Sequence, residues 1–519
     1  MKYPKLRSIY DAFLRHNDNW SLGLVLVLIL LFFVYDYNEI IFLQPQSVHL
    51  WRQSDCASQI WNFYDKTANL FTPQIHNQIM GNGKAAGEFP ITYWFSGMLY
   101  RVLGPHIWIA RMVHVLIVFS GLWAFSRTIQ RILKDRFWAA AIPILLFSSP
   151  VFVFYTCNFL PEPPAMGCIF WGWYFFFKYR EEQTFSSFLW SVAFFSLGTL
   201  IKVSTGISFV AVAGIFIIEW NRWQTFGEAN QPIFKGNMWK KAAAFLGGVL
   251  LIGAWYVYAN TYSIQNQSYY FLNVIKPITD ISQNDFYFIF YQVFAIHLEN
   301  AFMPFLHLLN LFLMVYTFRR KGRSYRLLFS INLLMFLGTL TYILLWFWNF
   351  NIHDYYITIT LLYPAWLFVH AAQVFKEEFS HVNVSWVFQF LVTLVVAYSV
   401  HYTDFEIHKR YHRVEYHTRE NLNFYDSGFK EYLTEVGVTQ DKKVISLIDI
   451  SPNNTLYLMN RKGWSSYNVL RYPDDVNFYK ERGAEYLIIG TPHLLEDPSL
   501  QEFYGNEVGV FGDIHIYKL

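Results

Sequence analysis

Long apolar blocks alternate with short polar ones along the first 400 residues, and then the pattern changes. A helix needs about 20 apolar residues to cross a bilayer. By that length the chain has spans near 21–43, 106–126, 137–157, 164–179, 184–201, 204–221, 241–261, 301–318, 327–349, 356–375 and 384–401. Residues 90–104, PITYWFSGMLYRVLG, are apolar but short and predict an interfacial or re-entrant helix. Beyond His401, strand-like runs at 443–449, 484–490 and 514–519 alternate with amphipathic helical stretches at 427–436 and 474–482. That alternation predicts a small α/β unit. The expected fold is an α-helical polytopic membrane protein of about eleven transmembrane helices with a small C-terminal α/β domain. Residues 1–401 would form the membrane module, with long loops at 44–105 and 262–300, and 402–519 the soluble domain.

The placement of charge orients these spans. Basic residues near span ends favour the cytoplasm. Lys2, Lys5, Arg7 and Arg15 precede the first span, and Arg127, Arg131, Lys134 and Arg136 follow the second. Lys178 and Arg180 follow the fourth, Arg222, Lys235, Lys240 and Lys241 the sixth, and FRRKGRSYR (318–326) the eighth. In this count every cluster falls on one side. The N-terminus is therefore expected in the cytoplasm, and the two long loops and the C-terminal domain outside. No small-residue cleavage site follows the first apolar run, so it reads as an uncleaved span rather than a signal peptide.

Composition agrees: 54% of the 519 residues are hydrophobic, 21% aromatic and only 15% charged. A soluble domain carries about 25% charge, so a soluble particle is excluded. A net charge of +3 gives no reason to expect a nucleic-acid partner. Cys56, Cys157 and Cys168 make no disulfide framework, and no Cys or His spacing predicts a metal site. Neither metal nor cofactor is expected. The absence of an internal repeat argues against inverted-repeat transporters.

Charged groups near span ends on the outer side recur in five short motifs. In HLWRQSDCASQIWNFY (49–64), Ala57, Ile60, Trp61 and Tyr64 have helical spacing. They predict an amphipathic helix over 55–66, lying on the membrane surface with Ser54 as cap and Asp55 in its first turn. Asp55 could simply help cap that helix while Arg52 meets lipid headgroups. In GNGKAAGEFPITYW (81–94), three glycines predict a mobile loop carrying Lys84 and Glu88 to a helix-starting proline. In NFLPEPPAMG (158–167), Glu162 is either a helix-start carboxylate or a functional acid. Lys202, in LGTLIKVSTG, either snorkels or holds a phosphate as a point charge. Lys276 is a further phosphate candidate. The fifth motif, NFNIHDYYITITLLYP (349–364), brings His353, Asp354, Tyr355 and Tyr356 together.

The ordered set WRQSD, GEFP, PEPP, a lone Lys after the fifth span and HDYY resembles the membrane glycosyltransferases of the GT-C superfamily. It is most similar to the branch of the protein O-mannosyltransferases and the lipid A aminoarabinose transferase, over roughly residues 20–375 and the tail in outline. The resemblance implies a GT-C fold and transfer of a monosaccharide from a polyprenyl-phosphate carrier to a glycolipid, protein or glycan acceptor. The reaction would lie at the outer face of a bacterial inner membrane. It implies Asp55 as base with Glu88 and Glu162 as supporting acids. Arg52, Lys84 and Lys202 would meet the donor phosphate, and His353 and Tyr356 would line the pocket. Family members carry adjacent acids slightly earlier in the first loop, where this chain has Ser47, Val48 and His49. A transporter or flippase for lipid-linked glycans is the competing reading. It would place ionisable groups mid-membrane, where these spans have few.

Overall fold

The computed structural model describes residues 19–227, 231–270, 275–320, 326–412, 422–447 and 449–519. Lys2, Lys5, Arg7, Arg15, Lys321 and Arg323, on which part of the orientation argument rests, lie outside the described residues. Helix occurs in every apolar run: Asn19–Val34, Ile107–Leu133, Arg136–Leu146 with Pro150–Thr156, Glu162–Glu182, Phe185–Ile201, Ile207–Trp220, Met238–Gln265, Pro304–Phe318, Arg326–Leu345, Leu362–Glu378 and Trp386–His412. Among the described residues, six helices are long and apolar enough to cross a membrane, or eight if each of two bent pairs is one span. These are the helices of an integral membrane protein, but fewer qualify than the eleven runs expected. The causes are local. The run at 137–157 bends by 79° ahead of Pro150, and the stretch 283–318 by 96° ahead of Pro304. Proline lacks the N–H needed to continue a helix. Phe185–Ile201 has only 17 residues, and Glu162–Glu182 opens on prolines and closes on charges.

The helical core is held by close approach and by rings. A Cβ on Gly121 would lie 2.5 Å from the Cα of Gly167, so the 107–133 and 162–182 helices touch backbone to backbone there. Trp173 and Trp366 pack with ring centres 4.4 Å apart and planes tilted by 60°, and both are fully buried.

The first long loop differs from expectation. Its helix spans Leu50–Asp65 and starts at His49, whose φ of 56° is left-handed. Ser54 does not cap it. The Ser54 hydroxyl donates instead to the Leu50 carbonyl, at 2.9 Å, and to Asn454 Oδ1, at 3.0 Å. Nor does the helix float on a surface: Gln53 through Ile60 are all buried, because it packs between the Ile91–Leu103 helix and the Asn454–Met459 helix. The polar residues Gln53, Ser54 and Ser58 face protein partners, which a membrane-surface helix would not offer. The short run at 90–104 is the Ile91–Leu103 helix, as its length suggested.

The tail builds one mixed sheet in the order β2-β1-β3-β5-β4. β1 (Lys443–Leu447), β3 (Ala484–Ile489) and β5 (Ile514–Lys518) fall on the expected runs, while β2 (Lys462–Ser465) and β4 (Glu507–Phe511) are additional. β1 pairs in parallel with β2 and β3, and β5 pairs antiparallel with β3 and β4. The edge strand β2 is covered by the first loop. Gln78 N–H donates to the Gly463 carbonyl at 2.8 Å and Gly463 N–H to the His76 carbonyl at 3.2 Å. Pairing of this kind blunts an edge that would otherwise stay open. The 386–412 helix runs past residue 401 without a break, so the expected domain boundary falls inside a helix.

Substituting Gly121 by Val forces the 107–133 and 162–182 helices apart. Overpacking of this kind costs about 1–3 kcal/mol, measurable by denaturant unfolding of the protein in micelles.

Candidate active site

A cavity of about 850 Å³ lies where the first loop, the 275–303 segment, the 346–356 segment and the end of the 386–412 helix meet. Arg52, Asp55, Glu88, Lys202, His353 and Tyr356, all candidates from sequence, line it. So do His49, Tyr270, Asp354, Lys409, Arg410 and Tyr467, beside the apolar Ile296, Trp346 and Ile352.

Two cations and two acids interlock on one side. Arg52 Nη2 lies 2.6 Å from Glu88 Oε1, and Lys202 Nζ lies 3.2 Å from the same oxygen. Lys202 Nζ also lies 2.7 Å from Glu162 Oε1, and Glu162 has no exposed surface. Local structure explains each position. Pro161 caps the 162–182 helix, so Glu162 opens its first turn and sits at the positive end of the peptide dipoles. The helix-start and functional readings of this acid are compatible. Lys202 ends the 185–201 helix in extended backbone, which lets its side chain leave the helix line. The loop before Glu88 is pinned. Ser263 Oγ accepts from Ala86 N–H at 3.0 Å and donates to the Ala86 carbonyl at 2.8 Å, and the Trp255 indole donates to the Gly87 carbonyl at 3.1 Å. Burial works to raise the Glu88 pKa, but Arg52 and Lys202 outweigh it and hold the carboxyl well below the usual range.

Lys84 does not line the cavity. Its backbone bridges to Gln74, and Gln74 Oε1 accepts from Lys462 Nζ at 3.0 Å, which places it toward the sheet. Lys276 lies over the Trp348 ring, 4.0 Å from its centre.

Asp55 is set apart from this quartet. It has no exposed surface, and both of its oxygens accept. Asn453 Nδ2 donates to Oδ1 at 2.7 Å and the Tyr270 hydroxyl to Oδ2 at 2.9 Å. Burial raises its pKa, Arg52 and the two donors pull it back, and the balance stands at about 6. A carboxylate with that value can exchange a proton near neutral pH.

A second acid centre was visible in sequence only as part of the HDYY motif. Asp354 Oδ1 accepts from the Tyr155 hydroxyl at 2.5 Å and lies 3.1 Å from His49 Nε2. Asp354 Oδ2 accepts from Arg410 Nη2 at 2.6 Å. His49 occupies the left-handed backbone region, which residues other than glycine adopt uncommonly and His, Asn and Asp more readily than most. The Tyr356 ring centre lies 5.2 Å from Lys202 Nζ. Among the described residues, no group of three or more His, Cys, Asp or Glu could hold a metal ion.

Tyr270, Asn453, Tyr155 and Arg410 carry no motif and were missed. The sequence signals near them were their partners, Asp55 in the first motif and Asp354 in the fifth, and His49, which stands where the resembled family carries acids.

The family model described as dolichyl-phosphate-mannose-protein mannosyltransferase matches residues 87–229. No curated protein matches the sequence. Among solved structures, ArnT from Cupriavidus metallidurans bound to undecaprenyl phosphate is 12% identical with a TM-score of 0.61, covering 97% of this chain and 98% of that one. The fold is that of the GT-C glycosyltransferases. The Archaeoglobus fulgidus oligosaccharyltransferase is also 12% identical, with a TM-score of 0.53 over 95% of this chain and 72% of its own. Arabinofuranosyltransferase AftD from Mycobacteria is 13% identical, with a TM-score of 0.53 over 96% of this chain and 40% of its own.

Removing the Lys202 charge leaves Glu162 buried and uncompensated. Lys202→Met is expected to cost about 3–5 kcal/mol of stability, and adding Glu162→Gln should recover part of the loss. Unfolding of the single and double variants in micelles measures both.

Proposed function

We propose that the protein is an integral membrane glycosyltransferase. It moves a monosaccharide from a polyprenyl-phosphate carrier to a glycolipid, protein or glycan acceptor at the extracytoplasmic face of a bacterial inner membrane. In this reading the N-terminus is cytoplasmic and the C-terminal unit lies outside. One observation carries it: paired cations and a separately held carboxylate with a pKa near 6 share one cavity, whose wall also contains Ile296, Trp346 and Ile352. A polyprenyl-phosphate sugar needs that combination, because its tail stays in lipid while its anionic head must be neutralised. ArnT, whose fold this chain shares, has been captured with undecaprenyl phosphate.

Arg52 and Lys202 meet the donor phosphate. Glu88 and Glu162 hold those cations in place and balance their two charges. Asp55 takes the acceptor hydroxyl proton as the hydroxyl oxygen attacks the anomeric carbon. The bond from that carbon to the phosphate oxygen then breaks, and polyprenyl phosphate leaves with the electron pair. Stabilising the departing phosphate is the larger part of such catalysis. Attack opposite the leaving group inverts the anomeric configuration. His353 and Tyr356 border the sugar and the phosphate. A flippase reading is less favoured, because the charges gather in one cavity at helix ends instead of along a path through the helices.

His49 supports a second assignment of the base. Its Nε2 lies 3.1 Å from Asp354, which leaves Nδ1 to receive a proton. The two assignments separate by substitution. With Asp55 as base, Asp55→Asn should lower polyprenyl-phosphate release by about 100-fold or more, measured with a panel of polyprenyl-phosphate sugars and a crude membrane acceptor. Loss in His49→Gln with release retained in Asp55→Asn would move the base to His49. Asp55 accepts a proton only when ionised, so the parent rate should climb as pH rises through about 6 and level off above it.

A further inference from the structure

The C-terminal unit touches Asp55 through a side chain that the proposed chemistry does not use. Asn453 lies 398 residues from Asp55 in sequence, yet its Nδ2 donates to Asp55 Oδ1 over 2.7 Å between buried groups. The orientation of this amide is set by its other end, where Asn453 Oδ1 accepts from the backbone N–H of Asn77 at 2.9 Å. A backbone N–H can only donate, so the nitrogen must face Asp55.

The turn that carries Asn453 is rigid for a visible reason. One Asp449 oxygen accepts from Ser451 N–H at 2.9 Å and from Ser451 Oγ at 2.6 Å. Its other oxygen accepts from the N–H and the hydroxyl of Thr455, both at 2.7 Å. Ser451, Pro452, Asn453, Asn454 and Thr455 are all buried. The first loop is bound to the same turn. Asn77 Nδ2 donates to the Pro452 carbonyl at 2.7 Å and to Asn468 Oδ1 at 2.6 Å, and Trp464 Nε1 donates to the Ile79 carbonyl at 2.8 Å.

We propose that Asn453 is a positioning residue for Asp55: by donating to the carboxylate it fixes its orientation and favours its ionised form, so that docking of the C-terminal unit on the 50–65 helix is what makes Asp55 a competent proton acceptor. A hydrogen bond donated to the charged form of a carboxyl favours that form. The other groups facing Asp55 are Arg52 and Cys56 on its own helix, Glu88 from the first loop, Tyr270 from the second long loop and Tyr467 from the C-terminal unit. Of these, Arg52 and Tyr270 also favour ionisation and Glu88 opposes it. Burial outweighs them together, and each donor holds the carboxyl below the value that burial alone would set. The proposal rests on the transferase reading only for its consequence in turnover, because the state of the carboxyl can be read without any substrate.

The experiment is a pH titration of purified full-length protein by infrared difference spectroscopy. The protonated-carboxyl band that Asp55→Asn lacks reports Asp55. The parent midpoint is expected near 6. In Asn453→Ala it should rise by about one pH unit or more, a tenfold change in the ratio of ionised to protonated carboxyl. Asn453→Ser keeps a hydroxyl in the turn but ends short of Asp55, and should move the midpoint the same way. An unchanged midpoint in either folded variant overturns the proposal. Loss of folding in both variants overturns it too, because Asn453 would then be a scaffold of the turn and not a positioning residue. A shifted midpoint with no turnover on any polyprenyl-phosphate sugar would uphold Asn453 and count against the transferase reading alone.

Discussion

Glu88 Oε1 lies 2.6 Å from Arg52 and 3.2 Å from Lys202, and this shared oxygen ties three distant segments together. The 50–65 helix brings Arg52, the loop before the 91–103 helix brings Glu88, and the end of the 185–201 helix brings Lys202. Charges withdrawn from water are costly unless they are paired and hydrogen-bonded. Each partner is thus a constraint on the fold as well as a part of the site. Glu162 extends the constraint to the 162–182 helix, whose backbone contact at Gly121 and Gly167 anchors it in the core. Moving any one of these segments would strand a charge.

The same arrangement gives the cavity its chemistry. The interlocked quartet is internally balanced, so any anion entering the cavity must compete with Glu88 and Glu162 for the two cations. That competition lets the site stay folded when empty and still offer two cations to an incoming anion. Asp55 lies outside the balance, between donors from the second long loop and from the C-terminal unit. Its raised pKa and the depressed one of Glu88 set the two carboxyls apart, as the proposed division into proton acceptor and structural acid requires. Pairs of carboxyls pushed apart in this way are a recurring device for dividing roles within one site.

Much of this was legible in the chain. Apolar runs located the helices, because a membrane-length run needs no tertiary context to be recognised. Asp55, Arg52, Glu88, Lys202, His353 and Tyr356 all reach one cavity, because charged residues at the ends of apolar helices have few other places to go. Tyr270 and Asn453 could not be found this way. Neither sits in a motif, and each acts through one hydrogen bond closed over hundreds of residues. The start of the 50–65 helix was misplaced because Gln53 and Ser54 look like loop residues until their partners are seen, the Gln46 carbonyl for Gln53 and Asn454 of the C-terminal unit for Ser54. Fewer helices qualify than the eleven runs because two apolar stretches bend ahead of prolines and others are short or end on charges. Lys84 looked equivalent to its neighbours in sequence, and only the backbone bridge to Gln74 turns it aside.

The measurement that bears most directly on this account is an experimental structure of the protein with undecaprenyl phosphate. Phosphate is expected within hydrogen-bonding distance of Arg52 and Lys202, on the wall that also carries Asp55, with the polyprenyl tail leaving past Ile296, Trp346 or Ile352. Phosphate bound elsewhere, with the Glu88 contacts to both cations unchanged, would contradict it.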